Sequence, residues 1–386
     1  MKQGDKNSLP NGWEMKTLGE VCDKASSNVS QNKLNNEKGI YPIYGASGFI
    51  KNVSFFHRER PYLSIVKDGS GVGRVTIMDA YSSVIGTLQY ILPKENIELK
   101  YLYYSLISID FSKYISGAAI PHIYFKDYAN ELLLWVPIEE QQRIVAKLDE
   151  AFEAIEKAKA NAEQNLKNAK ELFDSYLQAI FENKGKDWKE VPLADLATFR
   201  NGMNFTKSSN GEVIKIVGVR DFQNSFWVPF ENLDSVIIDG ELNDIDLLRE
   251  DDILAVRSNG NPELIGRTLL AGKFEGKISH SGFTIRIRLN CKNVLPVYLC
   301  IYLKTQKVRK ELINRGNGVG IKSLNQGSLA SFLIPLPPVA EQQFIVQKLD
   351  ALSSETKKLE ANYQKKLEDL EELKKSILQK AFSGQL

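Results

Sequence analysis

Little in this chain is suited to covalent chemistry or to spanning a membrane. Of 386 residues only three are cysteine (Cys22, Cys291, Cys300) and three are histidine (His57, His122, His280). The cysteines are scattered and lack metal-ligand spacing, so they read as reduced thiols of a cytoplasmic protein. The histidines lie far apart and fit no metal or triad pattern. No apolar run is long enough to cross a bilayer, and the stretch Met1 to Pro10 is polar rather than signal-like. Gly69-x-Gly71-x-Gly73 and Gly316-x-Gly318-x-Gly320 look superficially like nucleotide loops, but neither has the Walker or GxGxxG spacing. An Asn-Pro-Pro-aromatic or Asp-Pro-Pro-aromatic tetrapeptide, as an amino-methyltransferase would carry, is also missing. The expectation is a chain with no catalytic residues, no metal and no cofactor of its own.

A large charge of either sign is missing as well: the formal net charge is +2. Its distribution is uneven. Residues 1–136 carry 15 Lys/Arg against 13 Asp/Glu and residues 184–337 carry 21 against 17, while 138–183 carry 6 against 10 and 338–386 carry 8 against 8. The basic excess sits in the two larger segments. That permits nucleic-acid binding without establishing it.

What is present is a repeat. Pro137-Ile138-Glu139-Glu140-Gln141-Gln142-Arg143-Ile144-Val145-Ala146-Lys147-Leu148-Asp149 returns 201 residues later as Pro338-Val339-Ala340-Glu341-Gln342-Gln343-Phe344-Ile345-Val346-Gln347-Lys348-Leu349-Asp350. A period this long is no solenoid and marks a duplicated unit of domain plus helix. In the first copy Ile144, Leu148, Ala151, Ile155, Ala158, Ala162, Leu166, Ala169, Phe173, Tyr176 and Ile180 recur at steps of four and three. Ile345, Leu349, Leu352, Leu359, Tyr363, Leu367, Leu370, Ile377 and Ala381 keep the phase in the second. Such spacing over five heptads predicts long helices paired as a coiled coil. About 41 residues at 1.5 Å each give a rod on the order of 60 Å. Gly185 and Gly384 stand where C-cap glycines belong.

The intervening segments align by landmarks. Trp13 corresponds to Trp188, Lys67 to Arg257, Arg74 to Arg267, Tyr101 to Tyr298 and Gly117 to Gly318, with an offset rising from 175 to 201. Both segments read as short strands, such as Val213–Val219 and Phe283–Leu289, interrupted by a helix near Leu99–Ile109 and its partner Val297–Arg309. The fold class is therefore α+β: two domains with twisted, partly antiparallel sheets, separated by two long helices that form an antiparallel intramolecular coiled coil. The boundaries are 1–136, 137–183, 184–337 and 338–386.

Leu336-Pro337-Pro338-Val339-Ala340-Glu341-Gln342-Gln343 and its counterpart from Val136 carry a resemblance, as do the closing Lys380 to Leu386 and Pro42-Ile43-Tyr44-Gly45-Ala46-Ser47-Gly48. With two divergent domains alternating with two near-identical helices, the chain resembles the specificity (S, HsdS) subunit of type I restriction–modification enzymes. The resemblance implies that each domain is a target-recognition domain reading one half of a bipartite, asymmetric double-stranded DNA site. It implies that the helices act as spacer and as docking surface for two methyltransferase (M) subunits, at Glu140, Gln141, Gln142, Glu341, Gln342 and Gln343, with restriction (R) subunits as further partners. S-adenosylmethionine, ATP and Mg would belong to those partners. Half-site separation then becomes part of the specificity.

Base reading needs Arg or Lys for guanine and Asn or Gln for adenine. The glycine-flanked loop offers Lys67, Ser70 and Arg74; its counterpart offers Arg257, Ser258, Asn259, Asn261 and Arg267. A second loop leads to His122, Tyr124 and Lys126, and its partner carries Arg315, Asn317, Lys322 and Asn325. Tyr44 and Ser47 either contact phosphate or pack locally, and Arg200 to Asn204 is a weaker candidate. Plain glycine turns with solvated cations are the other reading of these loops. Two other functions stay open: the recognition part of a methylation-only or combined methyltransferase–nuclease system, and a helical scaffold without DNA binding.

Overall fold

The computed structural model describes residues 12–206, 208–223, 225–316 and 322–385. The chain divides into two compact units, Met1–Gln164 with Gln364–Leu386, and Asn165–Tyr363. Each unit thus takes one sheet-rich domain and part of both long helices, where the sequence reading had set the helices apart from the domains.

The first unit opens with β1 (Glu14–Thr17), α1 (Leu18–Val21), β2 (Cys22–Ser26), β3 (Tyr41–Gly45) and β4 (Gly48–Val53). It continues through β5 (Tyr62–Val66), β6 (Val75–Met78), β7 (Ser83–Val84), β8 (Leu88–Pro93), α2 (Leu99–Ile107), α3 (Phe125–Tyr128) and β9 (Leu132–Trp135). Its strands form an antiparallel sheet β2-β8-β5-β6, a sheet β4-β3-β7 with β3 and β7 parallel, and the pair β1-β9. β5 reads Tyr-Leu-Ser-Ile-Val and is buried throughout. Covered on both faces, it has no reason to alternate polar with apolar residues.

The helix α4 (Ile138–Glu182) follows, and the second unit repeats the plan. Its elements are β10 (Lys189–Pro192), β11 (Ala197–Asn201), β12 (Val213–Val217), β13 (Asp234–Ile237), β14 (Ile253–Val256), β15 (Ser258–Asn259), β16 (Thr268–Leu270), β17 (Ile278–His280) and β18 (Thr284–Leu289). Then come α5 (Pro296–Lys304), α6 (Gln306–Arg315), β19 (Lys322–Ser323), α7 (Gln326–Ala330), β20 (Leu333–Leu336) and the closing helix α8 (Val339–Phe382). The sheets are β11-β18-β14-β16, β13-β12-β17 with β12 and β17 parallel, and β10-β20, which match those of the first unit strand for strand. The small ladder β15-β19 replaces an isolated bridge between Asp68 and His122. The duplication read from the helices therefore extends to the sheets.

The two long helices run antiparallel. Within the first unit Lys374 pairs with Glu156 at 2.9 Å and Lys159 with Glu371 at 2.6 Å, so α8 descends as α4 ascends. Beneath these ion pairs Ile144, Leu148, Phe152 and Ile155 share a core with Leu370, Ile377, Leu378 and Ala381. In the second unit Leu177 and Phe181 of α4 share a core with Ile345 and Leu349 of α8. Ala162 and Ala169 are buried as the spacing required, but Tyr176 and Leu359 are exposed. The stripe of three-four spacing is thus wider than the seam that packs.

Three local expectations change. The partner of α2 is two helices: Thr305 breaks it with an extended backbone, and its Oγ1 accepts from Val308 N to start α6. Gly384 is left-handed (φ +78°) as a C-cap glycine should be, whereas Gly185 is not. At that end Asn183 donates from Nδ2 to the carbonyl of Ala179, 3.0 Å away.

The third change concerns Gln141 and Gln342, placed by the resemblance on a docking surface. Both are 0% exposed. Gln141 accepts from Glu98 N (2.9 Å) and donates to the carbonyls of Asn96 (3.1 Å) and Val136 (2.9 Å). Gln342 does the same with Leu295 N (2.8 Å) and the carbonyls of Asn293 and Pro337 (both 2.9 Å). Each amide thus clamps the first turn of a long helix to the turn before α2 or α5. The docking assignment is corrected for these two: a side chain with every polar atom bonded inside its own domain offers nothing to a partner. Gln142 and Gln343 beside them are exposed. Glu140 pairs with Arg143 at 2.6 Å, and Glu341 accepts from Trp188 Nε1 at 2.9 Å. Among the described residues, no helix is long and apolar enough to cross a membrane.

Candidate nucleic-acid interface

In the first unit three loops converge. After β5 the chain passes Lys67, whose N–H donates to Thr87 O (3.0 Å) and whose carbonyl accepts from Ile123 N (2.9 Å). Gly69 N donates to Pro121 O (2.8 Å), so the second loop is stitched to the first. The Arg74 guanidinium reaches the carbonyl of Ala46, which brings in the turn that carries Ser47. Gly73 lies in the left-handed region (φ +88°) with Phe111 pressed against it, where a Cβ would come within 2.7 Å. The loop needs glycine at this point to turn back into β6.

The second unit builds the same junction. Arg257 N donates to Phe283 O (2.8 Å), and its carbonyl accepts from Leu324 N (2.8 Å). Val256 exchanges backbone bonds with Arg267 and Gly266 as Val66 does with Arg74 and Gly73. Gly266 is left-handed (φ +68°) and a Cβ there would meet Leu312. The pairs Lys67 with Arg257 and Arg74 with Arg267, aligned from sequence, occupy equivalent backbone positions.

Their side chains differ. Lys67 is half-buried and pairs with Asp68 at 2.6 Å. Arg257 instead donates to the carbonyl of Gly282 at 3.3 Å, a weak neutral partner. Ser70 and Ser47 are exposed at their loop tips. Tyr44 packs on the core of the small sheet with Phe49 at 6.0 Å, which is the local-packing reading. His122 holds Ile120 O through Nδ1 (3.2 Å) and stands edge-on to Tyr124 (4.9 Å), which is 51% exposed. Lys126 lies over the same ring at 5.5 Å. These three form one outward cluster beside Lys67.

Several second-unit candidates are turned to structural work. Arg267 donates to the carbonyls of Phe222 (3.1 Å) and Gln223 (3.2 Å). Arg315 pairs with Glu311 at 2.7 Å and covers the Phe332 ring at 4.8 Å. Asn261 accepts from Glu263 N (3.0 Å) and Asn325 from Ser328 N (2.8 Å), each starting a short helix. Arg200 is paired with Asp246 at 2.5 Å. Ser258 and Asn259 lie in the ladder with Lys322 and Ser323, and Asn259 Oδ1 accepts from Asn261 N (2.8 Å). Asn317 and the side chain of Lys322 lie outside the described residues. Among the described residues, no group of His, Cys, Asp and Glu could hold a metal. His280 is buried against Thr284, and burial, then the Arg286 charge, push its pKa down to about 3.

Comparison with known proteins agrees with this duplicated plan. The family described as Type I restriction modification DNA specificity domain matches twice, over residues 10–164 and 185–369. The chain belongs to this family. One relative of the specificity-domain family is the type I restriction enzyme StySPI specificity subunit of Salmonella potsdam, 27% identical over 267 residues. That match covers 65% of this chain and 57% of the relative, so the chain spans little more than half of that protein's length. A solved structure on complex assembly and conformational transition of the type I R-M system contains a chain with TM-score 0.73 at 19% identity. It covers 98% of this chain and 100% of that one. The crystal structure of the HsdS subunit from Thermoanaerobacter tengcongensis gives TM-score 0.63 at 20% identity, covering 98% of each. At these identities the likeness is one of fold.

Two features of the interface escaped the sequence reading. Phe283 is exposed beside Arg257, yet its place in an apolar run marked it only as strand. The Gln141 and Gln342 clamps sit in the motif that the resemblance had assigned to docking. Near them Tyr101 and Tyr298, a pair aligned by sequence, bond through their hydroxyls the carbonyls of Leu134 and Pro335 (each 2.6 Å).

Proposed function

We propose that the chain is a DNA-specificity subunit without catalysis of its own. Its two recognition domains, 1–136 and 184–337, each read one half of a bipartite, asymmetric duplex site, and the helices 137–183 and 338–386 hold the readers at fixed spacing. The observation that carries this reading is the equivalent loop junction built twice on the same backbone bonds and furnished with different side chains, Lys67, Thr87 and His122 against Arg257, Phe283 and Ser323. Equal scaffolds with unlike surfaces suit two readers of unlike sequence. Lys67, Ser70, the His122–Tyr124–Lys126 cluster, Arg257, Ser258 and Asn259 are the proposed contacts, with Arg74 and Arg267 shaping the loops. Glu140, Gln142, Glu341 and Gln343 are the proposed docking residues for two methyltransferase subunits in the cytoplasm, with methylation and cleavage residing in partner subunits.

The test is selection of bound duplexes from a randomised pool by the full chain, followed by affinity measurement over a salt series. An asymmetric two-part motif with one gap length, and an affinity that falls steeply as salt rises, is the expected result. Binding without a motif, or insensitive to salt, would favour the scaffold reading. Sequencing methylated DNA from cells expressing the chain with its methyltransferase partner should return the same motif.

A further inference from the structure

Phe283 is 61% exposed in the turn between β17 and β18. The backbone around it is fixed. Ser281 N donates to Val217 O (2.9 Å), Gly282 N to Met203 O (2.7 Å) and Thr284 N to Ser281 O (2.9 Å). The carbonyl of Phe283 itself accepts from Arg257 N (2.8 Å) and Ser258 N (3.3 Å). A phenyl ring held outward on an anchored turn forgoes the burial that a core position would give it. Its neighbours Arg257, Ser258 and Asn259 are of the types that bond base edges.

We propose that Phe283 reads the C5-methyl group of a thymine in the half-site engaged by the second unit. The inference rests on the DNA-recognition reading above and assigns one chemical feature within it. Among the base edges of the major groove, the thymine methyl is the apolar feature, and an aromatic ring is a fitting partner for it. The cation and amide beside Phe283 are the side chains that read guanine and adenine in that same groove, whereas apolar wedges that unstack base steps work from the minor groove. In the first unit the equivalent position is Thr87, whose carbonyl accepts from Lys67 N (3.0 Å) and Asp68 N (3.3 Å). The Thr87 hydroxyl oxygen is buried. No aromatic ring stands at that position, so the ring contact belongs to the second reader and contributes to the asymmetry of the site.

The experiment compares the full wild-type chain with Phe283→Ala and Phe283→Leu on the selected duplex, made with thymine or with uracil at each thymine of the second half-site in turn. At one position the wild-type chain should lose about tenfold in affinity when the methyl is removed. Phe283→Ala should show that loss already on the thymine duplex and no further loss with uracil, while Phe283→Leu should keep much of the preference. Unchanged thermal unfolding of Phe283→Ala would confirm that an exposed side chain was removed. The proposal is overturned if Phe283→Ala binds the thymine duplex as wild type does. It is equally overturned if the variant weakens all sequences alike, as a general wedge would, or stays as sensitive to uracil as wild type. Failure of the wild-type chain to select any motif sinks the DNA reading and this inference together, and is seen before Phe283 is altered.

Discussion

Replacing Gln342 by leucine should destabilise the protein far more than its place in a polar motif suggests. The leucine would leave Leu295 N–H and the carbonyls of Asn293 and Pro337 without partners in the interior. At roughly 1 kcal/mol net for each of the three bonds the loss is about 3 kcal/mol, offset by up to ~1 kcal/mol from the added apolar burial. For a unit of this size, about 2–3 kcal/mol lowers the melting temperature by roughly 4–12 °C. Gln141→Leu should match it, because its amide makes the same three bonds. Gln343→Leu, at an exposed neighbour, should shift unfolding hardly at all. Gln342→Glu gives a pH signature. The new carboxylate faces two carbonyls, so its pKa in the folded state rises above the unfolded value. Such a group favours folding below the unfolded pKa and loses that contribution as pH rises, so the variant should be weaker at pH 8 than at pH 4 relative to wild type. Differential scanning calorimetry reads all of these. A Gln342→Leu chain that melts with wild type would refute the clamp.

Lys67→Ala should relax recognition at one half-site and Arg257→Ala at the other, each by about 1–3 kcal/mol in titrations against duplexes with one half scrambled; equal loss at both halves would count against independent readers. Leu148→Ala, at a fully buried seam position, should cost about 2–5 kcal/mol by denaturant titration. Glu371→Gln, which breaks an exposed ion pair with Lys159, should leave the unfolding midpoint where it was. Burial pushes the Cys22 thiol up to about 12 and the Cys300 thiol up to about 11. Since the thiolate is the reactive form, maleimide at pH 8 should label the native chain mainly at the partly exposed Cys291, and all three cysteines after denaturation.

The helices and the domain pairing were legible because each leaves a periodic or ordered trace. Apolar residues at steps of three and four mark α4 and α8, and the rising offset from Trp13/Trp188 to Tyr101/Tyr298 brought Lys67 and Arg257 to one backbone position. The direction of polar side chains left no such trace. Arg315 and Arg267 have the chemistry of phosphate contacts, yet carbonyls and an acid within the domain hold them. Asn261 and Asn325 suit adenine as well as they suit a helix start, and the local turn decides between the two. The break at Thr305 did leave a trace, a step of five from Leu303 to Val308 across Lys304, Thr305, Gln306 and Lys307, which reading the stretch as one helix passed over.

Each helix clamp touches main chain alone. In one copy the groups it holds belong to Asn96, Glu98 and Val136, and in the other to Asn293, Leu295 and Pro337. An acidic residue is exchanged for an aliphatic one and a valine for a proline, with the bonds unchanged within 0.2 Å. A joint made of peptide groups is blind to side-chain identity. The domain it fastens is therefore free to change its residues, and with them the surface it presents, without renegotiating how it is mounted on its helix.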